Sequence, residues 1–317
     1  MSEMYPLIFH PAFSQKVWGG CRLETIYGKT LPPQVPIGES WEISDRPEVE
    51  SVVANGAFAG KTLHWLLEHH HDGLMGKARD INGRFPILVK ILDVHSNISV
   101  QVHPEKMEMW LVTYSEQGGQ IYTGLKKGIT PQMFNTAVEQ GNVGSLLHSN
   151  PVKAEDAISI PPGGIHSIGA GVMLFEIQQN SDTTYRVYDW DRKETGESRP
   201  LHVEEALKCL DYGYQEPQLI QSKFSRNKIL SSRFLFNDPA FVCDEYQLKR
   251  DQHFYINNIV PIIFGVVSGE LTVSAGGETV SLKNGEFCLL PAGAGRTTIK
   301  AGTTTCYLMV QPQAEEN

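Results

Sequence analysis

Ile262-Ile263-Phe264-Gly265-Val266-Val267-Ser268-Gly269-Glu270-Leu271-Thr272-Val273 runs through the turn Ala275-Gly276-Gly277-Glu278 into Thr279-Val280-Ser281-Leu282. Gly285-Glu286-Phe287-Cys288-Leu289-Leu290-Pro291-Ala292-Gly293-Ala294-Gly295-Arg296 follows. Short apolar segments broken at regular intervals by glycine turns indicate a jelly-roll barrel, because glycine admits the backbone angles of tight strand reversals. The stretch ends in Pro291-x-Gly293-x-x-Arg296, and the same spacing occurs upstream as Pro161-x-Gly163-x-x-His166, each after a short apolar strand. A mainly β chain with two barrels of one type and a small helical insertion is therefore expected. The expected boundaries are 1–127 with 151–235 for a metal-binding barrel, 128–150 for the insertion (with a helix at 201–212 nearby), and 236–317 for a second barrel without metal ligands.

The expectation of a metal comes from Ser99-Val100-Gln101-Val102-His103-Pro104 and the following Glu105-Lys106-Met107-Glu108-Met109-Trp110. With period two, Val100 and Val102 point one way while Ser99, Gln101 and His103 point the other. If the polar face looks inward, something polar must sit there. A cation such as zinc suits an imidazole, an amide oxygen and the carboxylate of Glu108. His166, at the end of the rigid turn Ile160-Pro161-Pro162-Gly163-Gly164-Ile165-His166, is a fourth candidate. His103 alone would read as a half-exposed strand residue; the four together favour a site.

The 317 residues are 41% hydrophobic and 20% charged, which suits a soluble globular chain long enough for two cores. The net charge of −9 argues against nucleic acid as a partner and requires a locally basic pocket for any anionic substrate. No apolar run is long enough to cross a bilayer, and no basic-then-apolar leader opens the sequence. Cys21, Cys209, Cys243, Cys288 and Cys306 are scattered and odd in number, as expected of reduced thiols in a cytoplasmic protein.

Several helices interrupt the strands. Thr62 can cap one with Leu63, Leu66 and Leu67 as its apolar stripe and Gly73 just beyond its end, leaving His69, His70 and His71 as a solvated helix terminus. Thr130-Pro131 starts another, running to Gly141 with Met133, Phe134, Ala137 and Val138 on one side, and a second short helix is expected from Val143 to His148. Val203, Ala206, Leu207 and Leu210 mark a further helix ending at Gly213, and 214–240 read as a connector. Lys90 interrupts the buried-strand pattern Phe85–Asp93, and a polar cavity would explain it.

Beyond spacing, the chain resembles a known family. The carrying blocks are Trp18-Gly19-Gly20, Gly38-Glu39-Ser40-Trp41-Glu42-Ile43-Ser44, Val89-Lys90-Ile91-Leu92, Gln101-Val102-His103-Pro104, Lys106-x-Glu108-Met109-Trp110, Ile160 to His166, and Glu176-Ile177-Gln178-Gln179-Asn180-Ser181-Asp182-Thr183-Thr184-Tyr185-Arg186-Val187-Tyr188-Asp189-Trp190. In order and composition they are similar to the type I mannose-6-phosphate isomerases, short bacterial branch, of the cupin superfamily. The resemblance implies a zinc-dependent aldose–ketose isomerase interconverting mannose 6-phosphate and fructose 6-phosphate, with one zinc per chain on Gln101, His103, Glu108 and His166. It also implies an active-site arginine at Arg186, an acidic partner at Glu176, catalytic involvement of Lys106, and substrate contacts at Lys90 and Trp18. One departure is the short join between His103-Pro104 and Lys106-x-Glu108, where only Glu105 intervenes.

Aldose–ketose isomerisation needs a base beside a carbonyl and stabilisation of oxygen charge. Arg186 fits the second need, as stabiliser or substrate clamp; Lys106, Glu176 and a zinc-bound water remain alternatives for the base. Lysine ordinarily titrates near ~10.4, so Lys106 qualifies only if its surroundings favour the neutral amine. An iron oxygenase would use two histidines and a carboxylate without the extra Gln101. A non-enzymatic sugar-phosphate-binding cupin would not need Lys90, Glu176 and Arg186 together. A monomer or weak homo-oligomer is expected.

Overall fold

The apolar runs between glycine turns form antiparallel strands along most of the chain. The computed structural model describes residues 4–192, 199–226 and 230–315. Two compact units result: Phe13–Ser40 with Ile91–Ile220, and Met1–Ala12 with Trp41–Lys90 and Gln221–Asn317. This division differs from the expected boundaries, since 41–90 fall with the C-terminal segment instead of with the first barrel.

In the unit containing residues 91–220, a five-stranded sheet orders Leu147–Pro151, Gln120–Leu125, His166–Ile168, Val100–Val102 and Tyr185–Tyr188. A six-stranded sheet orders Ala157–Ile160, Glu108–Ser115, Val172–Gln179, Ile87–Val94, Ile37–Ile43 and Ala12–Gly20; Ile87–Val94 and Ile37–Ile43 each change unit along their length. Trp110, Val112, Ile121, Ile158 and Leu174 belong to one apolar core of this unit. Val100 and Val102 face away from that core into a second apolar cluster with Leu125, Phe134, Val187, Ala206 and Leu210. That is the physical basis of the inverted strand: helices Pro131–Glu139 and Val203–Cys209 cover its outer face. Phe134, fully buried there, contributes about 1.5–3 kcal/mol by leaving water.

Helix Pro131–Glu139 opens as expected, with the Met133 N–H donating to Thr130 Oγ1 (3.3 Å) and proline in the first turn. It buries Phe134 and Ala137, but Met133 stays 48% exposed and so lies off the packed side. The helix expected at Val143–His148 is only a 3-10 turn, Val143–Leu146. Its tail becomes the edge strand Leu147–Pro151, whose backbone gains partners on Gln120–Leu125.

The other unit holds two larger sheets beside two two-stranded pairs, an arrangement compatible with a barrel in each unit. One orders Ser225–Arg226, Leu230–Asn237, Phe241–Leu248, Thr305–Pro312, Ile262–Ser268 and Phe287–Leu290, the other His253–Ile256, Thr297–Ala301, Glu270–Ala275 and Glu278–Lys283. The two echoed Pro-x-Gly turns occupy matching places, joining Ala157–Ile160 to His166–Ile168 and Phe287–Leu290 to Thr297–Ala301. At the echo of His166, Arg296 is exposed and lies over the Tyr255 ring, 4.1 Å from its centroid.

Two local features depart from expectation. The segment capped by Thr62 (Trp65 N–H to Thr62 Oγ1, 3.0 Å) is kinked at His70 (φ −137°, ψ 33°), and its second helical stretch runs through Gly73 to Met75 and stops at Gly76, whose φ is 57°. Gly73 does not terminate the helix; a Cβ there would lie 2.8 Å from Met4 Cε, at the movable end of that side chain. The first stretch therefore ends among the three histidines, as expected, with His69 stacked on Trp65, centroids 4.4 Å apart. Finally, 214–240 are not connector throughout. Leu230–Asn237 is a strand paired with Phe241–Leu248, its alternation obscured by the buried Arg233, which is ion-paired with Glu245. All five cysteines are free thiols, and no helix among the described residues is long and apolar enough to cross a membrane.

Candidate metal centre

Strand register assembles the site. Thr123, His166, Gln101 and Arg186 are successive neighbours across four adjacent strands of the five-stranded sheet, so their side chains share one face. On the other sheet, Ile160, Glu108 and Gln178 form one row, and Ile158, Trp110 and Glu176 the next. His103 lies just beyond Val100–Val102, and its carbonyl accepts the Gly163 N–H at 2.8 Å, tying the two ligand-bearing segments together.

The polar atoms converge. His103 Nε2 is 3.3 Å from Glu108 Oε1, His166 Nε2 is 3.8 Å from Glu108 Oε2, and one ligating atom from each residue lies within 4.8 Å of the others. The Gln101 amide Nε2 is 3.2 Å from His166 Nε2. Both imidazoles are held from behind: His103 Nδ1–H donates to the Thr183 carbonyl (2.7 Å) and His166 Nδ1–H to the Gly164 carbonyl (2.9 Å). These bonds set the tautomer that leaves each Nε2 lone pair directed at the cluster. Lys106, which could have been an ordinary surface lysine, is buried, with Nζ 2.7 Å from Glu108 Oε1.

The electrostatics match. Burial by itself would raise the Glu108 carboxyl, but the charge of Lys106, then those of His103 and His166, outweigh it and hold the pKa at about 2. Burial pushes His103 well below the usual histidine value, and Lys106 pushes the same way. His166 is lowered too, again chiefly by burial and against the pull of Glu108. Near neutral pH the cluster is therefore two neutral imidazoles and a carboxylate, the protonation state metal binding requires. His103 Nε2 and Glu108 Oε2 are buried without a hydrogen bond, whereas Glu108 Oε1 is paired with the Lys106 ammonium at 2.7 Å. Buried polar atoms seldom stay unbonded, so these two orphaned atoms fit a cation. Two imidazoles, a carboxylate and an adjacent amide are donors suited to zinc.

The turn before His166 depends on Gly163. Its φ is +76°, and a Cβ there would lie 2.4 Å from the Cys209 carbonyl oxygen. Gly163→Ala should cost at least about 1–2 kcal/mol from the left-handed backbone alone. It should also displace His166, so a lowered melting temperature together with reduced zinc uptake is the expected result; an unchanged protein would refute this role.

The remaining predicted residues are placed as follows. Glu176 is buried, and its Oε2 accepts the Trp110 indole N–H at 3.1 Å. The Trp110 ring stands edge-on to His166, centroids 5.3 Å apart. Arg186 flanks Gln101 and donates through Nη1 to the Pro200 carbonyl at 2.8 Å. Trp18 is buried in the apolar core with Leu92 and Trp110, a packing role that its expected substrate contact did not foresee. Lys90 is buried in the other unit, its ammonium 4.1 Å from the Trp41 ring centroid. Glu105 is exposed.

Sequence reasoning missed Gln178 and Tyr214. Gln178 shares a strand face with Glu176 at period two, a signal that was available; its Oε1 accepts from Lys106 Nζ at 3.2 Å. Tyr214 donates to the Ser159 carbonyl at 2.9 Å, and burial followed by the charge of Glu108 raises its pKa. Nothing local marks Tyr214, which lies in a polar segment far from the ligands in sequence.

Fold and site together describe a cupin-type, mainly β protein with a candidate metal centre. A family model for the catalytic domain of type I phosphomannose isomerase matches residues 7–124. The mannose-6-phosphate isomerase of Streptococcus mutans is 33% identical over 300 residues, covering 90% of this chain and 92% of that protein. The crystal structure of the mannose 6-phosphate isomerase from Bacillus subtilis superposes with a TM-score of 0.86 at 28% identity, covering 96% of this chain and 99% of that one. At 15% identity and a TM-score of 0.74, a mannose 6-phosphate isomerase bound with zinc and yttrium shares the fold over 97% of this chain and 99% of its own. The chain belongs to the type I phosphomannose isomerase family.

Proposed function

We propose that this chain is a zinc-dependent aldose–ketose isomerase, with one zinc per chain, that interconverts D-mannose 6-phosphate and D-fructose 6-phosphate. The observation that carries this reading is the pair of buried, hydrogen-bond-free ligand atoms His103 Nε2 and Glu108 Oε2, beside a second oriented imidazole. His103, Glu108 and His166 would hold the ion. Gln101 would complete the set with its amide turned over, so that Oε1 takes the place of Nε2 beside His166. When bound, zinc supplies Lewis-acid polarisation and orientation of the C1 and C2 oxygens of the sugar.

The protein's own groups do the rest. In the aldose-to-ketose direction a proton leaves C2, the O2 hydroxyl proton passes to O1, and a proton returns to C1 through an enediolate, with no net gain or loss of atoms or electrons. We assign the carbon-bound proton to Lys106, which the Glu108 carboxylate favours as the ammonium and which could accept a proton only when a cation held by Glu108 offsets that carboxylate; the Glu176 carboxylate is already engaged by the Trp110 indole. Arg186, next to Gln101 across the strands, stabilises the enediolate oxygen charge. The substrate contacts assigned to Lys90 and Trp18 rest on the family resemblance. A cytoplasmic setting suits five free thiols.

Metal analysis coupled to an assay with mannose 6-phosphate tests the proposal. About one zinc per chain is expected, with a loss of turnover on the order of 100-fold or more after chelation, restored by added zinc. Free mannose should not be turned over. Full activity in zinc-free protein would end this reading.

A further inference from the structure

Gln178 is fully buried on the strand Val172–Gln179, directly across from Glu108. Its amide nitrogen donates to the Ser181 carbonyl at 2.5 Å and to the Gln179 carbonyl at 3.1 Å. Both donor hydrogens are thereby used, and the orientation of the amide is dictated: the oxygen must face Lys106, whose Nζ it accepts at 3.2 Å. The turn supplying those carbonyls is itself pinned. Met107 N–H donates to Gln179 Oε1 at 2.9 Å, Gln179 N–H donates to the Met107 carbonyl at 3.2 Å, and the Thr183 carbonyl takes His103 Nδ1–H at 2.7 Å. One side chain thus links the turn that orients a candidate metal ligand to the lysine that contacts another.

We propose that Gln178 is a positioning residue for the isomerase reaction, holding the Lys106 ammonium at one point beside Glu108 Oε1. The inference rests on the proton-transfer role given to Lys106 above. A lysine side chain has four rotatable bonds, and a single contact with Glu108 leaves its nitrogen free to swing about that oxygen. A second acceptor, locked by its own donors, removes that freedom. Proton transfer to carbon is sensitive to such placement, since a displacement of about 1 Å can cost on the order of 100-fold in rate.

The test compares Gln178→Leu, Lys106→Met and the double variant with the parent protein, reading zinc per chain, melting temperature, kcat and KM for mannose 6-phosphate. Slow turnover in the Lys106→Met background is followed by exchange of the C2 proton with solvent. Gln178→Leu should retain zinc and lose about 10- to 100-fold in kcat with KM changed by no more than about two-fold. In the Lys106→Met background the same substitution should have no further effect on the exchange rate, because the group it positions is gone. Gln178→Met, of similar length to the native side chain, repeats the comparison if the leucine variant does not fold. Parental kcat in Gln178→Leu, a loss that follows zinc content, or an equal loss with and without Lys106 would each overturn the proposal. Parental kcat in Lys106→Met would instead remove the role given to Lys106, so the two failures are distinguishable.

Discussion

Replacing His166 with alanine is expected to remove zinc and isomerase activity together, lowering kcat/KM about a thousandfold, equivalent to about 4 kcal/mol of transition-state stabilisation. The size of the effect follows from how committed this imidazole is. Its Nδ1–H is held by the Gly164 carbonyl, its Nε2 faces Glu108 and Gln101, and its ring abuts Trp110. Alanine leaves a carboxylate, one histidine and an amide, too few donors for a firm tetrahedral site. The imidazole is neutral near pH 7 in the zinc-free protein, so its removal strands no charge, and the zinc-free variant should melt close to the zinc-free parent. Imidazole added to the buffer should restore part of both zinc content and turnover. His71→Ala, altering an exposed helical histidine, should do neither harm. Retention of both zinc and activity by His166→Ala would defeat the proposed centre.

Glu245→Leu should destabilise the unit holding residues 221–315 by about 3–5 kcal/mol, with zinc content unaltered. Glu245 is fully buried, ion-paired with Arg233, and accepts the Cys306 thiol through Oε1 at 2.9 Å. Leucine matches the volume but takes the carboxylate away from a guanidinium that lies almost entirely out of water. The uncompensated charge, more than the lost attraction, sets the cost. Converting Arg233 to Met as well should recover most of the stability, since a well-packed apolar pair often replaces a buried ion pair at little expense. Chemical denaturation of the single and double variants decides it; equal instability in both would show that burial of charge is not what matters there.

How much was legible beforehand varies with the origin of each signal. Alternation in Ser99–His103 pointed to an inward polar face, and that face is where Gln101 lies in the structure, beside His166 and Arg186. Cap chemistry at Thr62 and Thr130 was readable because it is settled within four residues. Gly73 misled for the opposite reason: the helical stretch continues past it, and what lies against it is Met4, sixty-nine positions away. The strand at Leu230–Asn237 was hidden because a buried arginine resembles an exposed one until its carboxylate is known.

The chain by itself determined a mainly β architecture, the family, and the residue types able to hold a cation, because glycine spacing, strand periodicity and ordered motif blocks are all written in one dimension. Only the tertiary structure decided that Lys106 is buried against Glu108, that Gln178 holds it there, and that backbone carbonyls of Gly164 and Thr183 aim the two imidazoles. Those outcomes depend on strand register and on carbonyl groups that every residue carries alike, so no choice of side chain could have announced them.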